Sequence, residues 1–323
     1  MDVSQSASDR RGFLAGAAGA FALLSGCGKG GKGGTHVVLG DQVHLMETKL
    51  SAAGQLGGLG YGVSWGNFPG AAPLLEALNA GAVDTAPAGD LPVLLAAAAG
   101  CRLKIAGVNR GSGKSMAIIV PPGSPIRSVE ELAGKTVIVS SARGSISHYL
   151  LLEALREKGL PPAAVKIGYM LPNDAAAAFA TGQIAAWAIF GTYQARAEAE
   201  GARVLRDGTG IGPGYSVITV SETALADPGK RAAIADFLAR SRAANAWCIA
   251  NPEAYASLYA RQTGMDIAIA RVIAAWEKPG LSAPDAAFID ALQKAADRFH
   301  ATYKVLPRRV DVPSLVVPDL LNA

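Results

Sequence analysis

From residue 36 onward, short apolar runs alternate with stretches whose apolar positions recur at helical spacing. "HVVLG" at 36–40, "VSWGNF" at 63–68, "LKIAGV", "MAIIV" at 116–120 and "TVIVS" at 136–140 are short, β-branched and flanked by turn residues, so they predict strands. "VKIGYM", "AAWAIF", "ARVLRDG" and "YSVITVS" at 215–221 predict four more. Between them, Leu74, Leu75 and Leu78 share one face of "GAAPLLEALNAG", with Gly81 just past its end, and predict a helix. "LPVLLAAAAG", "SHYLLLEALREKGL" at 147–160, "NDAAAAFATGQ" and "YQARAEAEG" predict others, and the chain beyond 221 reads as mostly helical to its end. Ser128 stands three residues before Glu131, the spacing of a capping box, and Asn173 and Asp174 are placed to cap the helix that follows them. Strands separated by helices imply an α/β fold with mostly parallel sheets covered on both faces. The strands are too many for one small sheet. Two α/β lobes, joined by chain crossings near 115–125 and 212–220, accommodate them better.

The first thirty residues follow another pattern. Arg10 and Arg11 precede an apolar run from Phe13 to Leu24, which is too short to span a bilayer. A basic start, a short apolar middle and small residues at its end describe an export signal. "RRGFL" resembles a twin-arginine signal and "LSGC" a lipobox, which makes Cys27 the expected lipidation site. "GKGGKGG" then reads as a flexible tether to a membrane surface.

Composition narrows the rest. The net charge of +4 in 323 residues, without a basic stripe, argues against a nucleic-acid partner. Cys101 and Cys248 are the cysteines left after Cys27 and are expected as free thiols. The four histidines, His36, His44, His148 and His300, form no metal-binding spacing, and no cofactor motif is complete. "GSGKS" at 111–115 imitates the end of a phosphate-binding loop, but the first glycine of that pattern would fall at Val108, and a strand follows where a helix is required.

The strings "VSWGNFPGAAPLLEALNAGAVD", "AGDLPVLLAAAAG", "SPIRSVEELAGKTVIVSSARGSISHYLLLEAL", "LPNDAAAAFATGQIAAWAIF" and "ADRFHATYKVLPRRVDV" occur in this order within 36–312. In these strings the chain resembles the periplasmic substrate-binding proteins of aliphatic-sulfonate transporters, a group that extends to taurine, nitrate and pyrimidine-precursor binders. The resemblance implies the two-lobed periplasmic binding protein fold (type II), each lobe a mostly parallel sheet flanked by helices, with a ligand cleft between lobes that close about a hinge. It places the signal at 1–27, the tether at 28–35, the first lobe at 36–120 and 214–323, and the second at 121–213. Two departures bear on the ligand. Ala88-Gly89-Asp90 stands where the family has Thr-Gly-Asp, and Gly191-Thr192 replaces an Asp-Pro pair.

An oxyanion needs donors, and helix starts supply free backbone N–H groups with a favourable dipole. Three starts are candidates. In "ARGSISH" at 142–148, Gly144 permits close approach, Ser145, Ser147 and His148 offer side chains, and Arg143 adds a cation. Gly89 and Asp90 open a second helix, with Pro92 in its first turn, and Phe68 and Gly70 precede a third. Gln42 matches a family glutamine near the ligand. The resemblance sets Trp187, Tyr193 and Tyr215 around the cleft, although core packing is the commoner fate of a lone tryptophan.

The expected function is therefore a monomeric, membrane-tethered module. It would capture a small organic anion, an aliphatic sulfonate foremost, and pass it to the permease and ATPase of an ABC transporter. Taurine, nitrate, a pyrimidine precursor, or a sulfinate-directed enzyme on the same scaffold remain the alternatives. A sensor that docks on a membrane receptor is the third class.

Overall fold

The computed structural model describes residues 34–322, apart from 141, 212–213 and 277–279. The twin-arginine pair, Cys27 and nearly all of the tether lie outside the described residues.

The chain begins as alternating strands and helices: β1 (His36–Gln42), α1 (Leu45–Ala52), β2 (Gly62–Phe68), α2 (Ala71–Asn79), β3 (Thr85–Gly89), α3 (Asp90–Ala98) and β4 (Leu103–Arg110). The second lobe follows with β5 (Met116–Val120), β6 (Thr136–Ser140), α4 (Ile146–Glu157), β7 (Lys166–Met170), α5 (Pro172–Ala180), β8 (Ala186–Phe190), α6 (Gly191–Ala199) and β9 (Arg203–Asp207). The chain then returns through β10 (Tyr215–Ser221) to α7 (Glu222–Ala226), α8 (Pro228–Ala250), α9 (Pro252–Thr263), α10 (Ile267–Trp276) and α11 (Ala286–Ala301).

Two five-stranded sheets result, with orders β2-β1-β3-β10-β4 and β7-β6-β8-β5-β9. The sheets are mixed rather than simply parallel. In each, the fourth strand alone runs against its neighbours: β10 is antiparallel to β3 and β4, and β5 is antiparallel to β8 and β9. The reason is topological. The carboxyl ends of the forward strands point to the cleft, and both chain crossings lie there. A strand that has just crossed enters its sheet from the cleft and must run away from it. The residue pattern agrees, because β5 is buried at all five positions, as a strand covered on both faces should be.

Three local expectations are corrected. The first-lobe boundary at 120 is too late, because β5 hydrogen-bonds into the second sheet and the crossing falls within 111–115. Ser128 and Glu131 open only a three-residue 3-10 turn, Glu130–Leu132. Glu131 there accepts from the Arg127 amide (3.0 Å) rather than closing a box with Ser128. Asn173 and Asp174 do not cap α5, since Pro172 takes the first helical position and places both inside the first turn. Helix α1, in a segment without clear apolar periodicity, was not anticipated. Cys101 and Cys248 both remain thiols.

The lobes share part of their core. Helix α11 places Phe299 against Tyr149 of α4 (4.8 Å between ring centres) and Phe288 against Tyr215 of β10 (4.8 Å). Beside them, buried Glu153 of α4 accepts from Arg298 and Tyr303 as well as from Arg156 of its own helix. A carboxylate at that depth is tolerated because it is fully paired.

Candidate functional site

A cavity of about 690 Å³ lies between the sheets. It is lined by residues at the carboxyl ends of strands in both lobes, the place where open α/β sheets bind ligands. Five helix starts reach it: α1, α2, α3, α4 and α6.

Three of the five are stopped by the chain's own side chains. The buried Asp41 carboxylate accepts from the amides of Gln42 (2.7 Å), Met46 (3.0 Å) and Glu47 (2.9 Å), which closes the start of α1. Burial raises its pKa, and those three bonds pull it back only in part. At α3 the first residue is Asp90 rather than a residue before the helix, and Gly89 is the N-cap. The Asp90 carboxylate accepts from the Leu91 amide (2.8 Å) and, across the return crossing, from the Tyr215 amide (3.2 Å). Its complete burial pushes its pKa up to about 6, against the opposing pull of those amides. At α4, Ser145 Oγ accepts from the His148 amide (3.2 Å) and donates to the Ser140 carbonyl (2.6 Å).

The other two starts carry no side-chain cap among the described residues, and at α6 the Gly191 amide already donates to the Ser115 carbonyl (2.7 Å). They are α2, beginning at Ala71 after an extended Gly70, and α6, beginning at Gly191 after Phe190. Ala71, Ala72, Gly191, Thr192 and Tyr193 all line the cavity. Helix α6 did not figure among the expected starts. The Gly191 replacement in the family string is the signal that marks it.

Around these dipoles stand Lys49, Arg110 and Arg143. Arg143 donates to the Lys304 carbonyl (2.8 Å), so one face of its guanidinium is anchored across the cleft. Arg110, at the end of β4, holds Asp285 (3.0 Å) and the Tyr215 hydroxyl (3.1 Å) and lies over the Tyr215 ring at 5.3 Å. Tyr149 also lines the cavity, and its buried hydroxyl has no hydrogen-bond partner. An orphaned hydroxyl at a cavity wall is an unused donor.

Of the expected site residues, Gln42, Gly89, Asp90, Arg143, Gly144, Ser145, Tyr193 and Tyr215 line the cavity. Gln42 is held by a bond from Nε2 to the Pro87 carbonyl (2.7 Å). Phe68, Gly70, Ser147, His148 and Trp187 are not among the lining residues. Phe68 packs on the core. Trp187 is buried against Phe179 and spends its indole N–H on Ser140 (2.7 Å). His148 turns inward, where Nδ1 accepts from the Gly144 amide (3.0 Å) and Nε2 meets the Tyr169 hydroxyl at 3.3 Å. Burial, with Arg143 nearby, lowers its pKa to about 4, so it is neutral at pH 7 and its proton sits on Nε2. Ser147 is wholly buried. Arg110, Lys49 and Tyr149 were missed, although Arg110 ends a strand that the carboxyl-end rule already pointed to.

The two glycines at helix starts also bring the lobes together. A Cβ on Gly89 would stand 2.5 Å from Cγ2 of Ile146 in the opposite lobe, and one on Gly144 would overlap Cδ1 of Leu95. On the other flank of the cavity, Ala195 of α6 is buried in a cluster with Tyr255, Tyr259, Ile273 and Ala274 of α9 and α10. The lobes therefore touch on both flanks of the cavity.

A family model described as NMT1/THI5 like matches residues 68–255. The chain belongs to the NMT1/THI5-like family. It is 33% identical to the "Putative aliphatic sulfonates-binding protein" of Escherichia coli (strain K12), over 87% of this chain and 85% of that one. It is 28% identical to the protein of the same description from Bacillus subtilis (strain 168), over 91% of each. Among solved structures, the alkanesulfonate-binding protein SsuA from Xanthomonas axonopodis pv. citri bound to MOPS superposes with a TM-score of 0.80 at 31% identity, covering 88% of this chain and 98% of that one. These similarities establish the two-lobed binding-protein fold. The family-matched span contains the starts of α2, α3, α4 and α6, whereas α10 lies wholly beyond it.

Proposed function

We propose that this protein is a solute-binding protein that captures an organic sulfonate between its lobes and presents it to an ABC transporter. One observation carries the reading: uncapped helix starts from both lobes, α2 and α6, open on one cavity that also holds Arg110 and Arg143. A sulfonate carries three equivalent oxygens and a charge that does not titrate near neutral pH. Donors arriving from two lobes match that geometry better than a single phosphate-type loop does. The sulfonate-binding relatives support the same class. Arg143 is the leading charged partner in this reading, with Ser145 beside it. Gly89, Asp90 and Tyr215 shape the floor, and Tyr193 the second-lobe wall.

The protein works by capture alone. The cavity-lining residues include neither Cys101 nor Cys248, which favours binding over covalent chemistry on sulfinates. Export by the amino-terminal signal and lipidation at Cys27 would hold it at the cell envelope as a tethered monomer. Closure about the two crossings then supplies the form a permease recognises.

Thermal unfolding against a ligand panel tests this. A sulfonate present at a hundred times its dissociation constant adds about 2.7 kcal/mol of stability. A panel in which sulfonates leave the unfolding temperature unmoved, while nitrate or a neutral pyrimidine raises it, rejects the substrate class and keeps the fold.

A further inference from the structure

Helix α4 starts beside the cavity, yet the turn before it spends its donors on the chain itself. The Ser145 amide donates to the Ala142 carbonyl (3.1 Å), the His148 amide to Ser145 Oγ (3.2 Å), and the Gly144 amide to His148 Nδ1 (3.0 Å). The last bond stands apart from the others. Ser145 is the N-cap, so Gly144 precedes the helix, and its amide is not among the donors that a helix start leaves open. Ser145 already caps α4, so the cap does not need the Gly144 bond. What that bond fixes is the turn that carries Arg143.

Arg143 and Gly144 line the cavity, whereas His148 is buried behind them at 4% exposure. Gly144 stands at φ +82°, in the left-handed region that glycine tolerates, and the imidazole closes the turn from within. The ring is itself aimed from outside. Its Nε2 meets the hydroxyl of Tyr169, in β7, at 3.3 Å, and the two rings stand edge to face with 5.6 Å between centres. With the proton on Nε2, a bare Nδ1 faces Gly144. Burial and the nearby Arg143 lower the pKa of His148 to about 4, so this acceptor persists at neutral pH. A chain of contacts thus runs from Tyr169 through His148 and Gly144 to Arg143. The guanidinium is tied in turn to the Lys304 carbonyl across the cleft (2.8 Å). A loose arginine surrenders its rotamer freedom when it meets an anion, whereas one mounted at both ends has surrendered it beforehand.

We propose that His148 is the positioning residue for Arg143: its Nδ1 lone pair, aimed by the Tyr169 hydroxyl, holds the Gly144 turn so that the guanidinium meets the anion already in place. The inference rests on the sulfonate reading and on Arg143 as its charged partner. It gives His148 a task in capture without ligand contact, and Tyr169 a task from outside the cavity lining.

Calorimetric titration of the full chain tests it, with ethanesulfonate and hexanesulfonate as probes. His148→Phe keeps a ring and removes the acceptor, and should weaken binding by about tenfold, the worth of one hydrogen bond. His148→Asn places Oδ1 close to where Nδ1 stood and should restore most of that loss. Tyr169→Phe lies at a position 41% exposed, so it spares the core, and should weaken binding by about threefold by leaving the Nε2 proton unclaimed. In an Arg143→Ala background these differences should shrink to less than about twofold, because the positioned group is gone. Undiminished effects in that background overturn the positioning role and leave sulfonate binding standing. So does wild-type affinity in both phenylalanine variants, or an asparagine variant no tighter than His148→Phe. Nitrogen shifts of isotope-labelled histidine in the wild type give a readout that needs no variant. Nε2 should carry the proton and Nδ1 should be bare, and the reverse tautomer overturns the proposal. Failure of both probes to bind the wild type overturns the sulfonate reading along with it.

Discussion

Replacing Gly89 with alanine isolates the contact between the lobes. Gly89 has φ −69° and ψ 158°, an extended conformation that alanine adopts without strain. The new methyl carbon would stand 2.5 Å from Ile146 Cγ2, well inside van der Waals contact. Ile146 cannot swing aside cheaply. It is β-branched, it opens α4, and its χ1 is restricted there. The first lobe itself should hardly notice the change. Alanine reduces unfolded-state freedom by about 0.4–1 kcal/mol in favour of folding, and it loses about as much as an N-cap. The clash of about 1–3 kcal/mol therefore falls on the arrangement in which the lobes meet. If that arrangement is the one that holds ligand, affinity should fall by about 5–150-fold. The unfolding temperature without ligand should stay within a few degrees of wild type. Calorimetric titration of Gly89→Ala and of the double variant with Ile146→Ala measures the effect, and the second substitution should restore most of the lost affinity. Wild-type affinity in the single variant, or a double variant no tighter than the single one, refutes the reasoning that these glycines set lobe approach.

Four other outcomes follow from the same geometry. Asp90 has a folded pKa of about 6 against an unfolded value near 3.8. The native state thus holds the extra proton between those values, and stability is lost as pH rises from 4 to 6. Relative to Asp90→Asn, wild type should lose on the order of 3 kcal/mol across that window in denaturant unfolding, and a flat difference contradicts the assignment. Tyr149→Phe removes an orphaned buried hydroxyl. It should raise the stability of the unliganded protein by about 1 kcal/mol while weakening ligand binding; a variant weakened in both respects would mean the hydroxyl serves the fold. Arg143→Ala should lower sulfonate affinity by roughly ten- to a hundredfold with little effect on folding. Ser145→Ala, which uncaps the His148 amide, should cost about 1 kcal/mol of stability as well.

Much of the architecture is legible in the apolar periodicity, because nine of the ten strands and most of the intervening helices carry a local pattern; β3, "TAPAG", and α1 do not. What the pattern lacks is direction. Nothing in "MAIIV" says that β5 runs against its sheet. That follows only from where the chain crosses, and it is why the lobe boundary was set a strand too late. The helix starts are legible for a similar reason, since strand, turn residue and apolar face stand in sequence order at α2, α3 and α4. Side-chain direction is not. His148 and Trp187 sit in the expected strings, yet one turns inward to accept from the Gly144 amide and the other donates its indole N–H to the Ser140 hydroxyl. The packing of α10 on α6 is silent in the sequence, because their positions read as ordinary helix faces until the tertiary fold brings the two helices together.

The central claim is that backbone amides at helix starts from both lobes hold the anionic head. Amide nitrogen and proton shifts of the labelled protein, followed during titration with hexanesulfonate, test it directly. The account predicts large, saturating shifts at Ala71, Ala72, Thr192 and Tyr193, from both lobes and with a single binding constant. Saturable binding that leaves those four amides where they were would contradict it.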